Sequence, residues 1–156
     1  MTVDIRATQP DFKLVSEECG SITLEDGSVI ETRVILCDLS IWGKDLLGYQ
    51  FAVSTVVAIR VKALQKVKSL VKDVPLSQPG IQIQIPLTEE AGYEKMKIKK
   101  VDKPTTSSYS FDGKKIHNEL QIHAVVRNLN AKAPSGAPLY HVRWSVNSEI
   151  EEDSDS

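Results

Sequence analysis

Apolar and polar positions alternate along most of this chain. From Phe51 the odd positions Phe51, Val53, Val57, Ile59 and Val61 are apolar, while the even positions end in Arg60 and Lys62. That is the period of two expected of a strand with one buried face. Near the end Leu120, Ile122, Ala124 and Val126 alternate with Gln121, His123 and Arg127, and Tyr140, Val142, Trp144 and Val146 alternate with His141, Arg143 and Asn147. The Pro- and Gly-containing stretch 130–138 lies between these two runs, which are expected to pair antiparallel. Ile81, Ile83 and Ile85 form a short strand pattern closed by Pro86, and Thr88 to Gly92 suits a single helical turn. Tyr93 to Val101 is rich in lysine, as strands that protect a sheet edge are.

Turn residues set the register. In Ser21–Ile30 the Asp26-Gly27 pair separates two β-patterned runs and predicts a hairpin. A two-residue loop would oppose Ile22 to Glu31 and split the apolar set between both faces. A three-residue loop of Glu25, Asp26 and Gly27, with Gly27 left-handed, keeps Ile22, Leu24, Ile30, Val34 and Leu36 on one face and is preferred. Asp112-Gly113 predicts another hairpin, between Tyr109-Ser110-Phe111 and the run starting near Ile116. The predicted core comprises Ile22, Val34, Phe51, Val53, Val57, Ile59, Ile122, Val142 and Trp144. Between the first two long patterned regions, Trp42 to Tyr49 mixes Gly43 and Gly48 with charges and reads as a loop, although Trp42, Leu46, Leu47 and Tyr49 concentrate apolar area there.

At Leu64 the period changes. Leu64, Val67, Leu70, Val71 and Val74 recur at helical spacing with lysines between them until Pro75, which predicts one amphipathic helix over about 63–73. No β-α-β-α rhythm follows. The expected fold is therefore mainly β, an antiparallel β-sandwich or open barrel of about seven to eight strands with that helix inserted. Residues 1–148 are read as one domain and 149–156, with five acids among eight residues, as a disordered acidic tail.

Composition adds the setting. With 41% hydrophobic and 26% charged residues in 156, the chain has enough apolar surface to fold by itself. The first ten residues hold no signal-peptide core and no window approaches a membrane span, so a soluble, cytoplasmic protein is expected, with no membrane among its partners. Cys19 and Cys37, in no CxxC pair, are read as reduced thiols.

Charge is uneven. Residues 1–57 carry four Lys/Arg against nine Asp/Glu, residues 58–148 fifteen against seven, and the rest five acids. Lys62, Lys66, Lys68 and Lys72 around the helix, with Lys95, Lys97, Lys99 and Lys100, would form a phosphate-attracting field if they converged. Aromatic platforms are scarce, and RNP, zinc-finger and helix-turn-helix patterns are absent. His117, His123 and His141 lie in the last third without the carboxylates or cysteines of a metal site, so no metal or other cofactor is expected. No GxSxG, GxGxxG or GxxxxGK[ST] is present. These observations favour a non-enzymatic binding or structural module, acting on a protein partner or self-assembling through strand edges or through Trp42, Leu46, Leu47 and Tyr49. The alternatives are a nucleic-acid-binding protein using the basic 60–115 region with the acidic tail as regulator, and an enzyme with a histidine-containing site.

Overall fold

A computed structural model describes residues 7–76 and 86–152, and its strand order follows from the turns. The strands are β1 (Lys13–Glu18), β2 (Gly20–Leu24), β3 (Val29–Asp45), β4 (Gly48–Lys62), β5 (Tyr93–Met96), β6 (Ile98–Lys103), β7 (Thr105–Phe111), β8 (Lys114–Lys132) and β9 (Pro138–Glu152). They form two antiparallel sheets. One is four-stranded, in the order β4-β3-β2-β6. In the other, β8 is the axis, with β9 along one side and β7 and β5 dividing the other, and β1 lies outside β7. The fold is thus mainly β, and among the described residues it forms no closed barrel.

The first hairpin has the three-residue loop. Ile22 pairs with Ile30, the Leu24 amide donates to the Ser28 carbonyl at 2.8 Å, and Gly27 sits at φ 84°. All five side chains assigned to one face, Ile22, Leu24, Ile30, Val34 and Leu36, are buried. At Asp112-Gly113 both residues have positive φ and Phe111 pairs with Lys114, a two-residue turn matched to strand twist. Leu120 faces Val146 and Ile122 faces Trp144, the antiparallel pair expected of the last two patterned runs.

Tyr93 to Val101 is one run in sequence but two strands in space. β5 pairs with β8 in one sheet, and after Lys97 the chain crosses so that β6 pairs with β2 in the other. β7 then returns to the first sheet. This crossing, together with β1, takes the number of strands among the described residues to nine.

Three expectations need correction. Residues 42–49 are not a loop: β3 and β4 continue as a ribbon to a turn whose two connecting residues are Leu46 and Leu47, because the glycines there do not interrupt pairing and Trp42 is taken up as a bulge. The helix is shorter than 63–73. A turn of α-helix, α1 (Gln65–Lys68), runs into a 3₁₀ turn at Ser69–Val71; only Val67 and Val71 bury, Leu64 and Leu70 stay exposed, and no side chain caps the start. The acidic stretch is strand as far as Glu152, because Lys114, Lys115 and His117 of β8 lie opposite Glu152, Glu151 and Glu149. The strand expected at Ile81–Ile85 lies outside the described residues.

The interior has two apolar clusters. Ile22, Leu24, Ile30, Met96 and Val125 form one, and Leu36, Leu39, Tyr109, Phe111 and Ile116 the other. Buried polar residues also face inward between the sheets: the hydroxyls of Thr32 and Thr105 lie 2.5 Å apart, Asn118 donates to Ser107, and Ser148 donates to Asn118 at 2.6 Å. Toward the Asp26 turn, Asp26 accepts hydrogen bonds from the Ser28 amide, the Tyr140 hydroxyl at 2.6 Å and Arg127 at 3.0 Å, and Arg127 also holds Glu94 at 2.6 Å. These bonds fasten the first hairpin to β8 and β9.

Of the nine predicted core residues, Ile22 and Val34 are buried. Phe51, Val53, Val57, Ile122 and Val142 are half-buried, and Ile59 and Trp144 are 41% and 40% exposed. In β4 and β9 the strand faces are as read from the alternation; in β8 the bulge at His123 reverses the reading beyond Ile122, so that Ala124 and Val126 face outward opposite Arg143 and His141 while Val125 is buried. β4 and β9 also lie at the edges of their sheets, where no further strand among the described residues covers the inner face.

Candidate functional site

The partly uncovered residues lie along one side of the sandwich. β4 ends the four-stranded sheet and β9 ends the five-stranded sheet. The start of β4 meets the end of β9, where the Tyr49 hydroxyl and Lys44 both donate to Glu152, at 2.6 and 2.8 Å. The end of β4 meets the start of β9, where Val61 and Tyr140 pack on the same cluster. The two fifteen-residue edge strands therefore run antiparallel to each other across the two sheets. The hydrogen bonds to Glu152, together with Lys44 and Lys114 nearby, hold its carboxyl below the ordinary range, and the hydrogen bond to Glu152 raises the Tyr49 hydroxyl.

These edges differ from the others in kind. β1 is six residues with a bulge at Val15 and three charges; β6 is six residues with four charges and two register shifts; β5 is four residues. Short length, charge and bulges all discourage another strand from adding to an edge. β4 has none of these over Phe51–Ile59, nine residues without a charge or proline and with no shift of its own register, since both bulges in this ribbon fall on β3, near Cys37 and Trp42. β9 is likewise uncharged over Trp144–Ser148. A strand edge of this kind offers backbone N–H and C=O groups in a regular row together with a half-covered apolar inner face.

The residues singled out in the sequence are dispersed relative to this side. Leu46 and Leu47 project fully exposed from the ribbon tip, Trp42 is 44% exposed at its bulge, and Tyr49 is tied to Glu152. The four thus share one ribbon end without forming one patch. The lysines divide. Lys62 and Lys68 line a cleft of about 630 Å³ with Arg60 and the 133–140 segment, and Lys62 is paired with Glu31 at 2.7 Å. Lys66 and Lys72 belong to the helical segment, whose Lys72 carbonyl accepts from Lys132. Lys95 borders a separate cleft with Leu87, Val126 and His141, Lys97 stands where the chain crosses between sheets, and Lys99 and Lys100 are on β6, with Lys100 against Asp102.

The histidines also stay apart in their bonding. His141 makes an edge-to-face contact with Tyr93, and His123, at a bulge in β8, bonds Ser145 at 2.6 Å. His117 Nδ1 lies 2.5 Å from the Ser108 hydroxyl and its Nε2 3.2 Å from Glu151, on the outer face of the five-stranded sheet. This resembles the relay of a nucleophilic serine, but Ser108 is buried at a position where β7 pairs with β1 on one side and β8 on the other. No group of three or more metal-ligating side chains occurs among the described residues. Cys19 and Cys37 are both exposed free thiols.

Sequence reading did not single out the outward-facing positions of β4 and β9. The signal was present in the even positions Ala52, Ser54, Val56 and Ala58, which are small or apolar where a solvent-facing strand usually carries charge. No helix among the described residues is long and apolar enough to cross a membrane. No protein-family model matches the chain, and no curated protein or solved structure matches it.

Proposed function

We propose that this protein is a non-enzymatic binding or structural module that engages a protein strand along the open side formed by β4 and β9. The carrying observation is the contrast between edges: the three short edge strands are guarded by charge, bulges or brevity, and the two long ones are bare where a partner would pair. Strand addition suits such an edge because main-chain hydrogen bonds supply affinity while alternate side chains meet the apolar inner face. Nucleic-acid binding draws less support, since the basic side chains fall into separate places and Lys62 and Lys100 already have acidic partners. Photo-crosslinking tests the reading. A benzophenone side chain at Val56 or Asn147 in expressing cells should trap a protein, and the same group at Val101 on β6 should not. Equal trapping at all three positions, or none at any, refutes the reading.

A further inference from the structure

We infer that the strand received by this open side is the same strand of a second copy of the chain, joined about a two-fold axis that passes near Val146 of β9 and Thr55 of β4. The inference rests on the proposed strand-pairing role and names its partner. Its basis is charge along β9. The outward-facing residues are His141, Arg143, Ser145, Asn147, Glu149 and Glu151, basic at one end, uncharged in the middle and acidic at the other. Neither Arg143 nor Glu149 is held in an ion pair among the described residues.

An antiparallel pair of identical strands reverses such a gradient against itself, so that the patch becomes self-complementary, as an isologous dimer requires. With Val146 on the axis, Arg143 lies opposite Glu149 of the second copy, and His141 opposite Glu151. Ser145 then meets Asn147. Moving the axis to Ser145 sets Arg143 against Asn147, and moving it to Asn147 sets Glu149 against Ser145, so only the Val146 register satisfies both charged positions. On the inner face Val142 comes opposite Ile150, Trp144 opposite Ser148, and Val146 meets its own counterpart.

The other sheet fits the same axis. Because Tyr49 lies by Glu152 and Val61 by Tyr140, the residue of β4 nearest Val146 is close to Thr55. A two-fold axis there opposes Phe51 to Ile59 and Val53 to Val57 of the second copy, all four apolar and all incompletely covered in the single chain. Both sheets would continue across the axis, and the two open sides would close each other.

Sedimentation velocity on the full chain tests this. The wild type should sediment as a dimer at micromolar concentration. Arg143→Glu and Glu149→Arg should each weaken association about tenfold or more, since like charges then face each other twice per dimer. An equimolar mixture of the two variants should recover the wild-type affinity as a heterodimer, because each altered residue then meets an opposite charge. Circular dichroism on each variant establishes that both remain folded; their outward positions make no apolar core contact. A wild type that stays monomeric at several hundred micromolar overturns the second copy as partner. If Val56 and Asn147 nonetheless crosslink a different protein, the strand-pairing reading stands without it. Single variants that dimerise like the wild type, or a mixture that gains nothing over either variant alone, overturn the Val146 register.

Discussion

Asp26 joins the first hairpin to β8 and β9 through two donors, Arg127 and Tyr140, and accepts a third bond from the Ser28 amide of its own turn, so its ionisation reports on that junction. Burial pushes its carboxyl up, but the bonds from Tyr140 and Ser28 and the charge of Arg127 together outweigh burial and leave it below the ordinary aspartate range. The stabilisation is therefore complete above the unfolded value near pH ~4 and is lost as pH falls through the lowered folded value. Asp26→Asn should cost about 1–3 kcal/mol at pH 7 in denaturant unfolding, and the difference from wild type should shrink as the pH falls below the ordinary aspartate range. Tyr140 behaves in the opposite sense. Burial and the bond to Asp26 push its hydroxyl up to about 12, so its contribution is full below about pH 10 and disappears as pH rises through about 12. In a spectrophotometric titration, one tyrosine of the folded protein should ionise only near pH 12, and Tyr140→Phe should remove that step. Asp26 was readable from the sequence as a turn residue, because Asp-Gly between strand patterns is a local signal. Its bonds to Arg127 and Tyr140 were not, since they join positions about a hundred residues apart.

Strand faces were legible and strand surroundings were not. Alternation says which side chains share a face, and it did so for Ile22, Leu24, Ile30, Val34 and Leu36. It cannot say whether another strand lies beyond, which is why Trp144 and Ile59 were expected in the core and stand at its open margin. The charged end of β9 was misread for a related reason: a run of acids looks solvated until the basic run that pairs with it is known. Ile150 packs against the cluster of Leu36, Leu39, Tyr109, Phe111 and Ile116. Deleting residues 149–156 should therefore lower the thermal midpoint by several degrees, as loss of about 1–2 kcal/mol does in a domain of this size, rather than leave it unchanged. Gly20 presents a different constraint. A Cβ there would come within 2.6 Å of the Thr105 amide nitrogen and 2.7 Å of the Pro104 carbonyl carbon. Gly20→Ala should cost about 1–3 kcal/mol by forcing β2 away from the 104–105 connection, measurable by chemical denaturation.

Taken as a whole, the molecule separates its charges by place. The lysines at 62–72 and 95–100 would have formed one field had they converged, but β5 and β6 carry theirs onto different sheets. The full chain should accordingly show no detectable oligonucleotide binding even at low ionic strength, where a converged basic groove would bind most tightly. A fluorescence-anisotropy titration checks this, and salt-dependent binding would mean that the dispersed lysines gather on a surface. The strand that crosses between sheets at Lys97 has one more consequence, which concerns the order of synthesis. The outer edge of β2 needs β6 and β1 needs β7, partners 74 to 97 residues further along, whereas β2, β3 and β4 adjoin. As the chain leaves the ribosome, β2, β3 and β4 can close at once as a meander by local contacts, while β1 and the outer edge of β2 must wait for residues 98–111. During that interval the uncharged Phe51–Ile59 edge is exposed with only its hairpin partner beside it, which leaves this segment open to pairing with another strand while synthesis continues.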